Sequence, residues 1–183
     1  MDRLKATKNI FFAMTESWMK EAWHVHAILE EKTRLAVGLA SYMGIEPADG
    51  RIEVGAIMFS PRLQRTTAAT EAMYLMMKQA FLELGYRRYE WRCNALNRDS
   101  ISAATRLGFR YEGTFRQTNV LKGHNRDTAW FSIIDREWPT VRAALEAWLA
   151  PDNFDDSGHQ RQTLTQIRSA VQVIDVDVPC FTP

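Results

Sequence analysis

The sequence predicts a mixed α/β domain: an antiparallel meander followed by a strand–helix–strand crossover. Three observations carry this. Before Pro61 the apolar residues come in short alternating runs broken by turn residues. From Thr67 the spacing changes to three and four, so that Ala69, Ala72, Met73, Met76, Ala80, Phe81 and Leu84 share one helical face. Alternation returns after Tyr86, where Tyr89, Trp91 and Cys93 interleave with Glu90, Arg92 and Asn94.

In order, Thr15 reads as the N-cap of a first helix running through Trp18 and Met19. Val25 to Leu29 and Leu35 to Ile45 read as strands, separated by the polar turn Glu30 to Thr33. Pro47-Ala48-Asp49-Gly50 is a turn by chemistry, because Pro presets φ and Gly accepts a positive one. Arg51 to Phe59 is the third strand. The long helix from Thr67 closes at Gly85, and Tyr86 to Asn94 is the next strand. Asn97 as N-cap and Gly108 as C-cap bracket a short helix. Phe109 to Val120 and Thr128 to Ile134 pair through a polar loop, Lys122 to Asp127, with Asn125-Arg126-Asp127 in the turn near the acceptor side. Trp138 to Leu149 is a helix with Pro139 in its first turn. Past Pro151 the chain turns polar; Gln162 to Val173 is a weakly amphipathic helix, and Val176 to Pro183 has no evident partner. Residues 1–150 are expected to form the domain and 151–183 a partly irregular extension.

The composition narrows the function. With 46% apolar and 25% charged residues over 183 positions, the chain has the make-up of a globular protein with its own core. Its 23 basic and 22 acidic residues leave a net charge of +1, against a dedicated nucleic-acid or membrane-surface binder. Arg87, Arg88 and Arg92 are expected to be strand residues in ion pairs with Glu83 or Glu90. Two cysteines make no disulfide framework, and no apolar run is long enough for a leader or a membrane span, so the expected location is the cytoplasm. His24 and His26 would share a strand face, but two His without a Cys pair are an incomplete zinc site, so no metal is expected.

The most informative stretch runs from Ile57 to Ala69. A strand feeds a loop that opens a long helix, whose first amides lack internal partners and face the positive end of the dipole. Small residues at Thr66, Thr67, Ala68 and Ala69 let an anion such as a pyrophosphate approach the backbone. The same residues are also consistent with a plain Thr66 or Thr67 helix cap.

This run resembles the cofactor loop of the GNAT N-acetyltransferase superfamily, Gln/Arg-x-x-Gly-x-Gly/Ala, with Gln64 at the first position and Ala69 at the last. Thr67 stands where the family usually has Gly. Thr70-Glu71-Ala72, Asn97-Arg98-Asp99-Ser100, Arg106-Leu107-Gly108-Phe109 and Tyr111-Glu112-Gly113 follow in the order of the RimJ/RimL-like branch, and the resemblance spans about residues 22 to 138. It implies a twisted, mostly antiparallel mixed sheet flanked by helices. It also implies transfer of an acetyl group from acetyl-CoA to a primary amine, either a protein N-terminus or a small molecule, by direct attack in a ternary complex.

The resemblance assigns residues to this chemistry. Backbone groups of Ile57 and Phe59 would pair with pantetheine like an added strand, and an amide near Met58 would polarise the thioester carbonyl. Gln64, Arg65, Thr66, Thr67, Ala68 and Ala69 would hold the pyrophosphate, with Asn97 and Ser100 beside the pantetheine arm and thiol. Glu53, among apolar neighbours, is the expected general base, although it also fits an ordinary strand residue; Gly55 suggests a bulge exposing backbone to the acetyl group. Ala104 occupies the position of the family's usual Tyr acid, which leaves Ser100 to protonate the thiolate. The family normally has a strand and a helix before the region of Trp18, where only about 17 residues precede here. The N-terminus therefore reads as shortened: either the sequence is a truncated reading of a longer protein, or another subunit covers the exposed edge at Val25 to Leu29, as in a homodimer. A catalytically weakened acyl-CoA-binding or regulatory protein is the alternative.

Overall fold

The computed structural model describes residues 23–171. The expected helix at Thr15, the shortened N-terminus and the segment Val176 to Pro183 lie outside the described residues. The described residues form β1 (His24–Leu29), β2 (Ala36–Glu46), β3 (Arg51–Phe59), α1 (Thr67–Lys78), β4 (Arg88–Asn94), α2 (Arg98–Leu107), β5 (Arg110–Leu121), β6 (His124–Ile134), α3 (Trp138–Leu149) and α4 (Leu164–Ala170). They make one six-stranded sheet in the order β1-β2-β3-β4-β6-β5. Only β3 and β4 run parallel, joined by the α1 crossover.

The meander follows its turn chemistry. Gly50 takes the left-handed conformation (φ 62) that ends the single helical turn Pro47–Asp49 and launches β3. α1 runs into a wider turn at Gln79–Glu83 before Gly85 (φ +72) redirects the chain to β4. Asn97 caps α2, accepting from the Ser100 amide, and Gly108 closes it at φ 105.

Two expectations are corrected. The polar loop Lys122 to Asp127 is only the two-residue turn Lys122-Gly123, with φ of 51 and 79. This is the twist-matched geometry of a tight hairpin. Asn125, Arg126 and Asp127 therefore lie inside β6, where a polar strand with no apolar alternation looks like loop. The helix expected over Gln162 to Val173 spans only Leu164–Ala170, and its Leu164 and Ile167 belong to the main core.

That core lies between the sheet and helices α1 to α4. Tyr89, Phe131, Ile133 and Met77 are fully buried, and Phe81 stacks on Trp138 at 4.9 Å. Arg88 pairs with Glu90 (2.7 Å) and Glu112 (2.6 Å), and Arg92 pairs with Glu53; Glu83 takes no part in these pairs. β1 is an edge strand with Val25 and Leu29 exposed. No helix among the described residues is long and apolar enough to cross a membrane.

Candidate active site

The site begins where β3 and β4 part. Their parallel pairing runs from Arg51/Arg88 to Val54/Trp91 and stops. β3 then carries an extra residue against β2, since Leu39 faces Met58 while Ser41 faces Gly55. Ala56 absorbs that bulge at φ 48. β4 stays bonded to β6 as far as Asn94/Thr128, so it cannot follow β3. The gap widens into a cleft of about 1310 Å³, walled by Gly55, Ala56, Ile57 and Phe59 on one side and Arg92, Cys93 and Asn94 on the other. Residues 55–59, bonded to β2 on one side, therefore offer a ligand the backbone edge on their other side.

The cleft runs to the start of α1. Gln64 donates its side-chain amide to the Phe59 carbonyl (2.8 Å), and Arg65 turns the chain at φ 60. Thr66 is the N-cap: its hydroxyl accepts from the Ala69 amide (3.2 Å) and donates to the Leu63 carbonyl (2.7 Å). The first-turn amides of Thr67 and Ala68 have no intrahelical carbonyl to bond. The Thr66 cap thus takes the Ala69 amide and leaves the two before it without a helical partner. Gln64, Arg65, Thr66, Thr67 and Ala69 line the cleft, whereas Met58 and Ala68 do not. Ala69 is buried against Val37 and Leu63, so it also anchors the loop.

Across the gap, Asn97 and Ser100 both line the wall. The Ser100 hydroxyl accepts from the Trp91 indole N–H (3.0 Å), which fixes the oxygen and leaves its hydrogen free to donate. Glu53 is different. It lies just before the strands part, is buried, and is held by the Arg92 guanidinium, which also stacks over the Trp130 ring at 4.6 Å. Burial, then the charge of Arg51, lowers the Arg92 pKa. Glu53 is not on the cleft wall; Arg92 is.

Some wall residues carried no sequence expectation. Arg106 donates to the Thr70 hydroxyl (3.1 Å) and lies over the Trp148 ring at 4.7 Å, with burial lowering its pKa. It was visible inside the Arg106–Phe109 motif, but nothing there gave it a role. Phe154, Gly158, His159 and Gln160 close the same end. The buried Asn153 pins this segment, its amide nitrogen bonding the Trp148 and Gln162 carbonyls and its oxygen the Gln162 amide. Among the described residues no three His, Cys, Asp or Glu gather as a metal-binding group.

Comparison with known proteins bears on this geometry. Residues 3–110 match the family model described as the acetyltransferase (GNAT) domain. A solved GCN5-related N-acetyltransferase from Brucella melitensis is 47% identical with a TM-score of 0.80, covering 86% of this chain and 73% of that one. A solved protein from Chromobacterium violaceum, described as a probable acetyltransferase of the GNAT family, is 48% identical with a TM-score of 0.61, over 63% of this chain and 58% of that one. The curated uncharacterized N-acetyltransferase p20 from Bacillus licheniformis is 27% identical over 112 residues, 61% of this chain. The match spans 62% of that relative, less than two thirds of its length.

Proposed function

The chain belongs to the GNAT acetyltransferase family, and on that premise we propose that it moves the acetyl group of acetyl-CoA to a primary amine by direct attack within a ternary complex. The observation that carries this reading is the parting of β3 from β4, an unpaired strand edge that leads to the uncapped amides of α1. Pantetheine would bond the backbone of Ile57 and Phe59, and the pyrophosphate would rest on the loop from Gln64 to Ala69. An amide near Met58 would polarise the thioester carbonyl, a contact worth ~3–4 kcal/mol in the transition state. The amine nitrogen attacks the carbonyl carbon, the C–S bond breaks, and the departing thiolate takes a proton through the Ser100 hydroxyl, which regains one from solvent. The proton lost by the amine passes through water to Glu53, which requires Arg92 to release that carboxylate. We assign the protein to the RimJ/RimL-like branch on its Asn97–Ser100 and Arg106–Phe109 motifs.

One observation favours a second reading, an acyl-CoA-binding protein with weak turnover: the candidate base is already occupied by Arg92. A thermal titration with acetyl-CoA, beside a thiol-release assay over a panel of amines, separates the two. Stabilisation with thiol release from at least one amine supports transfer; stabilisation with no release from any supports the second reading; absence of both overturns both. Thr67→Glu tests the cradle. An acid at the first helical position suits the helix dipole and leaves the fold intact. It places negative charge against the phosphates, so acetyl-CoA affinity should fall at least about ten-fold.

A further inference from the structure

We propose that the acceptor amine also carries a carboxylate, received by Arg126; this rests on the transfer reading above. β4 ends at Asn94, opposite Thr128. Beyond it the hairpin of β5 and β6 pairs only with itself and overhangs the cleft, adding Leu121 and Arg126 to the wall. Arg126 stands two strands away from β3, whose C-terminal loop opens α1 and its phosphate-sized cradle. The acetyl donor's phosphates therefore do not account for it.

Four arginines line the cleft, and three are explained where they stand. Arg65 is solvent-exposed in the loop before α1. Arg92 is held by Glu53, and Arg106 by Thr70 and Trp148. Arg126 is half-buried, and among the described residues its side chain has no hydrogen bond, ion pair or ring contact; its Nε is fully screened from water. Its neighbour Asp127 is engaged elsewhere, accepting from the Gln117 amide (2.7 Å). On the same face of β6, Thr128 and Trp130 also carry buried donors without partners, Thr128 Oγ1 and Trp130 Nε1. The Phe115 and Trp130 rings pack 4.9 Å apart beside this row, outside the cleft lining.

Of these β6 donors Arg126 is the one that lines the cleft, and no carboxylate among the described residues pairs with it. A half-buried guanidinium has given up part of its hydration, and its planar fork matches a carboxylate through two parallel N–H···O bonds. An amine with a carboxylate a few bonds away would reach both Arg126 and the splayed strands. Free amino acids and peptides with an acidic residue near the N-terminus share that chemistry.

The test uses acceptor pairs differing only in the carboxylate: free amino acids against their amides, and short peptides with Glu against the same peptides with Gln. Each is titrated calorimetrically onto the full chain saturated with CoA, and assayed for thiol release with acetyl-CoA. At least one acid should bind at least about ten-fold tighter than its neutral twin, and the pair responsible tells amino acid from peptide. Arg126→Gln should erase that preference through KM, with acetyl-CoA affinity unchanged, and Arg126→Lys should keep part of it. Equal binding of acid and neutral partner in every pair, or a preference that survives Arg126→Gln, overturns the proposal. Acid-selective, Arg126-dependent binding without thiol release upholds the carboxylate site at Arg126 but overturns its ligand as an acceptor, and with it the transfer reading.

Discussion

Ser100 and Glu53, the proposed acid and base, sit in different surroundings. Ser100 is aimed by one hydrogen bond from Trp91, and Trp91 by its edge-on contact with Phe109 at 5.5 Å. Ser100→Ala should lower kcat modestly, because water can replace a hydroxyl donor, and rapid-mix thiol release would read it. Glu53→Gln should lower kcat by ~10²–10⁴ while acetyl-CoA affinity holds. A full kcat across the pH range would leave Glu53 as the partner of Arg92 and nothing more. The Asn97 cap was legible in the sequence because a cap and its helix are neighbours along the chain. The hold of Arg92 on Glu53 was not, because it spans 39 positions and depends on how two parallel strands align.

Helix and strand junctions set how firmly these side chains are held. Gly108 ends α2 at φ 105, and a Cβ there would lie 3.1 Å from Val141 Cγ1 of α3. Gly108→Ala should therefore cost ~1–3 kcal/mol from the strained backbone alone, read by denaturant melts. On the far side of the sheet, Glu112 of β5 receives both Arg88 nitrogens (2.9 and 2.6 Å) and the Ser132 hydroxyl (2.7 Å). Arg88 chiefly pulls its carboxyl down to about 2, from 4.5. A lowered folded-state pKa stabilises fully above the ordinary value and fades as pH falls from 4.5 toward 2. Glu112→Gln should flatten the fall in melting temperature across that window; an unchanged slope would show that the carboxylate adds nothing to acid stability. Most helix and strand limits were legible because caps, glycines and apolar spacing are local. The start of β6 was hidden because its pairing with β5, not its composition, makes it a strand.

The element order, the meander and the crossover could be read from the chain before any coordinates. The cleft's end wall could not: a polar segment becomes a wall only because the buried Asn153 ties it to Trp148 and Gln162. The exposed Val25 and Leu29 on edge strand β1 lead us to expect a concentration-dependent dimer, which sedimentation at several concentrations checks. A monomer throughout would mean that this edge needs no second copy. The interrupted pairing of β3 with β4 has a wider consequence. Among the described residues, four aligned pairs make the ladder between two half-sheets of three strands each. Beyond Val54 and Trp91 the two halves share no strand pairing, although one core packs against both, and that leaves a seam where the cleft opens. A donor lying in that seam would act as a removable seventh strand along the edge of β3 that faces away from β2. Those amide hydrogens of residues 55–59 that point into the cleft should exchange quickly in the free protein and slow when the donor is bound, while those bonded to β2 stay unchanged, so loading and stiffening would become a single event.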